Sequence, residues 1–281
     1  MTKFNLLLIL CLFGFSISGC SSLYYFPVQN QYLFEPSQVS PSPEVIHFNS
    51  ADGTQLEAWY FKTIEKNPKG LILHFHGNAQ NLSTHFGFLW KSVAQGYDYM
   101  IFDYRGYGNS QGKPDPAGLV LDGRAALKWA EDQRQKRGNI PLIVFCQSLG
   151  GAVCTKALSE EKDIIPKVLV IDSSFSNYRS VARSVFSSSW LLWIFQPIAW
   201  IFADNSQSPQ NDIKNLKAGR FLVVHGEKDQ VVDIQHGKNL FDKLSDPKEL
   251  WIIPNGQHID FLVRNNGEYR NRFYNWLKSA L

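Results

Sequence analysis

The run Cys146-Gln147-Ser148-Leu149-Gly150, followed at once by Gly151, carries the most chemistry in this chain. It follows an apolar, β-rich stretch, Pro141-Leu142-Ile143-Val144-Phe145, and precedes a helix-like run from Ala152 to Leu158. A serine centred in a tight strand-to-helix turn has a strained backbone and an exposed hydroxyl, the arrangement that presents a nucleophile. Small neighbours let the turn close and the helix pack on the strand. Cys146 stands where a glycine is expected. Cysteine is still small, so the turn is expected to close with a looser fit. A serine hydroxyl is a poor nucleophile at neutral pH and needs a base and an orienting acid elsewhere.

A serine on such an elbow is served, in chain order, by an acid and then a histidine. Of the seven histidines, only His225, His236 and His258 follow Ser148. His225 ends a strand and reads as packed and hydrogen-bonded. His236 falls early in a helix, after Asp233, and reads as an exposed helix residue. His258 lies in the loop Pro254-Asn255-Gly256-Gln257-His258, directly after the last strand, and is the best-placed base. Asp229, in the loop after the penultimate strand, is the candidate acid that would accept the imidazole N–H and fix its tautomer. Asp172, at the end of an earlier strand, and Asp233, a helix N-cap candidate, are its rivals. An oxyanion would need two backbone N–H groups. Leu149, first in the helix after Ser148, supplies one, and Asn78 in the loop His76-Gly77-Asn78-Ala79 is the candidate for the other.

The elements that would position these groups alternate. Strand-like runs at Val45 to Phe48 and Leu56 to Phe61 flank Asp52-Gly53, a hairpin signal. Then come strands at Leu71 to Phe75, Tyr97 to Phe102, Leu142 to Phe145, Val168 to Ile171, Phe221 to Val224 and Glu249 to Ile253. Helical stretches fall between and after them, at Leu82 to Gln95, Pro116 to Lys136, Ala152 to Ser159, Ile234 to Leu244 and Tyr269 to Leu277. Strands apolar on both faces and alternating with helices mean a mostly parallel sheet covered on both sides. About fifty residues between Ile171 and Phe221 carry no strand. They contain the aromatic segment Trp190 to Phe202, read as a lid over an apolar pocket, a lipid-facing patch or a pair of buried packing helices.

The loops named above, together with Phe102-Asp103-Tyr104-Arg105-Gly106-Tyr107-Gly108-Asn109-Ser110, resemble those of the α/β-hydrolase superfamily. Within it the chain looks like the BEM46-like serine hydrolases, which include the ABHD17-type protein depalmitoylases. The marks of that subgroup are His76-Gly77-Asn78-Ala79 and Asp103-Tyr104-Arg105-Gly106-Tyr107-Gly108. The resemblance covers about His47 to Leu281. It implies an α/β-hydrolase fold: a mostly parallel eight-stranded sheet with helices on both faces and a helical cap insertion at about 173–219. It implies Ser148, Asp229 and His258 as a catalytic triad acting on a small-molecule acyl ester or an acylated substrate, with no metal or organic cofactor. Asp103 and Arg105 are expected to hold loop structure near the pocket. A peptidase or amidase on the same triad, and a non-catalytic hydrolase-fold module that binds, are the competing readings.

Composition fits these classes. A hydrophobic content of 44% and a charged content of 19% describe an ordinary globular protein. The net charge of +3, with no basic stripe, gives no reason to expect a nucleic-acid partner. Cys146 and Cys154 read as core thiols rather than as part of a disulfide framework.

At the N-terminus, Lys3 precedes an almost wholly apolar stretch, Phe4 to Ile17, which runs into Ile17-Ser18-Gly19-Cys20. The apolar stretch is shorter than the ~20 residues a spanning helix needs. The run resembles a bacterial lipobox, which implies a signal peptide at 1–19, cleavage before Cys20 and lipidation of its thiol. Ser21 would favour the outer membrane, so the protein is expected to be exported, lipid-anchored and facing the periplasm. Residues 20–43 then read as an extended tether, and 44–281 as the hydrolase domain. Radioactive fatty acid fed to expressing cells should label the wild-type protein and not Cys20→Ala; equal label in both would contradict lipidation at this thiol.

Overall fold

The computed structural model describes residues 25–180 and 206–281. Eight strands form one sheet: β1 (Glu44–Asn49), β2 (Gln55–Phe61), β3 (Leu71–Phe75), β4 (Asp98–Phe102), β5 (Leu142–Gln147), β6 (Val168–Asp172), β7 (Arg220–Gly226) and β8 (Lys248–Ile253). Their spatial order is β8-β7-β6-β5-β3-β4-β2-β1. β2 runs antiparallel to both β1 and β4, and all other neighbours are parallel. The Asp52-Gly53 turn joins β1 to β2, with Gly53 at a φ of 86°.

The principal helices are α1 (Pro116–Lys136), α2 (Leu149–Glu160), α3 (Ile234–Lys243) and α4 (Glu268–Ala280). Side chains alternate across the strands, so the sheet divides the core in two. Leu71, Leu73, Phe75, Val144 and Cys146 meet Leu119, Ala126, Val153 and Leu240 of α1, α2 and α3 on one face. Ile72, Ile143 and Phe145 meet Phe273 and Leu277 of α4 on the other. Asp115 caps α1 by accepting from the Gly118 N–H at 2.9 Å, with Pro116 in the first turn. Asp233 caps α3 through the Gln235 N–H at 2.8 Å, as its position suggested. This is the α/β-hydrolase fold.

Two expectations need correction. The stretch from Leu82 to Gln95 is not one helix. It divides into a turn of α-helix at Leu82–His85 and 3₁₀ segments at Phe86–Phe88 and Trp90–Gln95. Gly87, a poor helix former, lies within the first of these 3₁₀ segments. Residues 25–43, read as an extended tether, are attached to the domain. Phe26–Pro27 pairs in parallel with Ala79–Gln80, and Tyr25 is buried. Backbone bonds from Val28 to Gln80 and from Asn30 to Gly108 continue the attachment. The Pro/Ser composition suggested an extended segment, and the backbone edge at Ala79–Gln80 gives that extended chain a strand to pair with. Of the cap, 181–205, and with it the Trp190 to Phe202 segment, lies outside the described residues, as does Cys20.

The β5–α2 junction has no room for an added methyl. A Cβ on Gly150 would lie 2.1 Å from the Phe75 carbonyl oxygen at the end of β3. Gly150→Ala should therefore lower the urea midpoint of unfolding by the equivalent of about 1–3 kcal/mol. Gly87→Ala, where a Cβ meets nothing within 4 Å, should stay within about 0.5 kcal/mol of wild type. Equal effects at both positions would contradict the close contact.

Candidate active site

All the loops singled out in the sequence emerge at the carboxyl edge of the parallel strands, where open α/β sheets bind ligands. β5 lies between β3 and β6, with Phe75 opposite Cys146 and Gln147 opposite Asp172. The chain leaves β5 through Ser148, at φ 52° and ψ −115°, and enters α2 immediately. The elbow is therefore tight despite Cys146. That side chain sits in the core beside Cys154, and burial pushes its thiol well above the usual range. Both thiols are buried and free.

Ser148, Asp229 and His258 come together. Ser148 Oγ lies 3.0 Å from His258 Nε2, and His258 Nδ1 lies 2.8 Å from Asp229 Oδ2. With Nδ1–H donating to the carboxylate, Nε2 is left to accept the serine proton. Asp229 Oδ1 accepts from the backbone N–H groups of Val231 and Val232, both at 2.9 Å. Burial alone would raise this carboxyl. The hydrogen bond and charge of His258 and the two backbone donors outweigh it, leaving Asp229 below its ordinary value. The acid and histidine loops lie flush: a Cβ on Gly226 would be 2.4 Å from the Gln257 carbonyl oxygen.

The 76–80 loop lies beside this line, with Gly77 placing a would-be Cβ 3.7 Å from Ser148 Cβ. Asn78 is held through its side chain, whose Oδ1 accepts from the Tyr107 hydroxyl at 2.8 Å and from the Phe26 N–H at 3.3 Å. Leu149 is the first residue of α2, where backbone N–H groups and the helix dipole favour negative charge. Beneath this loop His76 Nε2 is 3.2 Å from Asp103 Oδ1, both fully buried. Burial lowers His76 to about 4 and pushes Asp103 well up, so both favour their neutral forms. Arg105 binds Asp122 and Asp52 at 2.8 Å. Asp103 and Arg105 thus hold loop structure, as expected.

The rivals fall elsewhere. His225 is buried, 2.8 Å from the Val232 carbonyl, and supports the acid loop from behind. His236 is not an exposed helix residue: its Nδ1 accepts from the Ser176 N–H at 3.1 Å, and its Nε2 lies 3.2 Å from Ser180 Oγ. Asp172 accepts from Gln147 Nε2 and Ser173 Oγ, both at 3.0 Å, and does not bond His258.

Sequence reasoning missed what the Asp172-Ser173-Ser174 turn does. Its Asp172 carbonyl accepts the Ser148 N–H at 2.9 Å, and Ser174 Oγ donates to the Ser148 carbonyl at 2.8 Å. Ser173 Oγ accepts from the Ile259 N–H at 3.2 Å, next to His258. One turn thus ties the serine elbow to the histidine loop. Three consecutive small polar residues at a strand end were the only signal.

A model of the family described as serine aminopeptidase, S33, matches residues 66–216, more than half of the chain. The chain belongs to this family. It is thus an α/β-hydrolase. The YfhR protein of Escherichia coli O157:H7 is 31% identical over 92% of this chain and 88% of its own length. The lysophosphatidylserine lipase ABHD12 of Danio rerio is also 31% identical, over 76% of this chain and 56% of its own. Among solved structures, the Pyrococcus furiosus esterase Pf2001 is similar in fold, with a TM-score of 0.71 at 21% identity over 91% of this chain and 97% of that one. A soluble variant of the Saccharomyces cerevisiae monoglyceride lipase, in complex with a substrate analogue, gives 0.67 at 17% identity over 89% and 97%.

Burial raises Asp172 to about 7, against lowering by Gln147 and Ser173. Between its ordinary value of 3.8 and about 7, the folded protein holds a proton that the unfolded chain has lost. Stability from this group therefore falls as pH rises through that window. Asp172→Asn lacks the effect, so its melting temperature relative to wild type should climb from pH 4 to pH 8. A difference independent of pH would mean that Asp172 is already ionised in the fold.

Proposed function

We propose that this protein is a membrane-tethered serine hydrolase that cleaves carboxylic ester or thioester bonds through an acyl-enzyme. The observation that carries the reading is the hydrogen-bonded line from Ser148 Oγ through His258 to Asp229, at 3.0 and 2.8 Å. In this mechanism Ser148 attacks the acyl carbonyl while His258 Nε2 takes its proton. Asp229 holds the Nδ1–H tautomer and stabilises the imidazolium. The N–H groups of Asn78 and Leu149 receive the oxyanion. His258 then protonates the departing alkoxide or thiolate. A water, deprotonated by the same histidine, attacks the acyl-enzyme and releases the acid.

The names of the lipase and esterase relatives favour an ester over an amide substrate. The thioester alternative rests on the likeness of His76-Gly77-Asn78-Ala79 and Asp103-Tyr104-Arg105-Gly106-Tyr107-Gly108 to the BEM46-like group. Tethering rests on the lipobox-like run ending at Cys20, which would place the domain at the periplasmic face of an outer membrane.

A fluorophosphonate should form an adduct that peptide mass spectrometry locates on Ser148, and His258→Ala should abolish it. On p-nitrophenyl esters, Asp229→Asn should lose on the order of 10³–10⁴ in kcat, while Asp172→Asn keeps kcat within about tenfold of wild type. The reverse pattern would move the acid to Asp172. Faster turnover of aminoacyl p-nitroanilides than of any ester or thioester would replace the proposal with a peptidase.

A further inference from the structure

Phe26, Leu33 and Phe34 expose 60%, 66% and 44% of their surface, although each belongs to a segment fixed on the domain. Phe26 is paired with Ala79, the Leu33 N–H donates to Ser83 Oγ at 2.9 Å, and the Phe34 ring lies 6.1 Å from that of Phe86. All three therefore border the 78–86 stretch that begins at the candidate oxyanion loop. A single exposed apolar side chain is ordinary, whereas three on one bound segment form a patch that asks for a partner.

The chain immediately upstream says which partner. The apolar run Phe4 to Ile17 leads to Cys20, and only four residues separate Cys20 from the buried Tyr25. Fully extended, that link spans at most about 18 Å. A lipid on Cys20 would then hold this corner of the domain within reach of the bilayer. Among the described residues no helix is long and apolar enough to cross a membrane.

We propose that the face carrying Phe26, Leu33 and Phe34 rests on the bilayer and turns the Ser148 site toward acyl chains held in that membrane. The proposal depends on the lipid anchoring put forward above. It makes the substrate an acyl ester or thioester lodged in the same membrane, delivered along the side of the domain where Asn78 meets Phe26. The Phe26 backbone is part of the device: its N–H donates to Asn78 Oδ1 at 3.3 Å, so the link to the anchor also braces the oxyanion loop.

The test uses the full-length, anchored protein in phosphatidylethanolamine–phosphatidylglycerol vesicles containing brominated lipid. A fluorophore is placed on Leu33→Cys or, as the control, on Ile165→Cys, an exposed position near the amino edge of the sheet. Cys146 and Cys154 are buried and stay unlabelled. Bromolipid should quench the label at position 33 at least about twofold more than the label at 165. Flotation with the vesicles and equal quenching at both positions would overturn the proposed face while leaving the anchor intact. Failure to float would overturn both. In addition, Leu33→Gln combined with Phe34→Gln should lower the ratio of vesicle-borne to soluble ester hydrolysis at least about threefold. An unchanged ratio would count against the face.

Discussion

The backbone of Ser148, at φ 52° and ψ −115°, is the conformation on which the rest of the site is built. A non-glycine residue held there costs on the order of 1–3 kcal/mol and persists only where its surroundings determine it. Here Gly150 lets α2 press against the end of β3. The same contact brings the His76-Gly77-Asn78 loop alongside the serine. Ser148 and the candidate oxyanion loop are thus set together by one close approach of a helix to a strand.

His258 and Asp229 come from loops distant in sequence, and direct ties hold them in place. The Ser173 hydroxyl accepts the N–H next to His258, while its neighbours grip Ser148 by backbone and hydroxyl. Behind them a buried polar line runs from Tyr99 through His74 and Gln147 to Asp172, with hydrogen bonds of 2.8, 2.9 and 3.0 Å. Low dielectric strengthens such a line when its members are satisfied. It lies under the serine elbow because Gln147 is the last residue of β5.

The fold and the meeting of Ser148, His258 and Asp229 were legible because their signals are local. Apolar runs with alternating helices specified the parallel sheet, and a serine between Phe145 and Ala152 specified an elbow. Position after a late strand specified Asp229 and His258. What was hidden depends on pairing across the chain. The Ser173–Ile259 bond joins residues 86 apart, and the Phe26–Asn78 bond joins residues 52 apart. Neither leaves a periodicity in sequence. The same holds for His236, whose partners Ser176 and Ser180 precede it by a strand and the cap. The Pro/Ser-rich composition of 27–43 misled for a related reason, since composition reports what a segment can do alone and not the loop edge awaiting it.

The most direct test of the central claim is rapid-quench mass spectrometry during turnover of a chromogenic ester. If Ser148 is the activated nucleophile, the first turnover should release one equivalent of chromophore in a burst. The protein should gain the mass of the acyl group at Ser148 before hydrolysis sets in. Linear release with no acylated protein, or an acyl group located on any other residue, would contradict it.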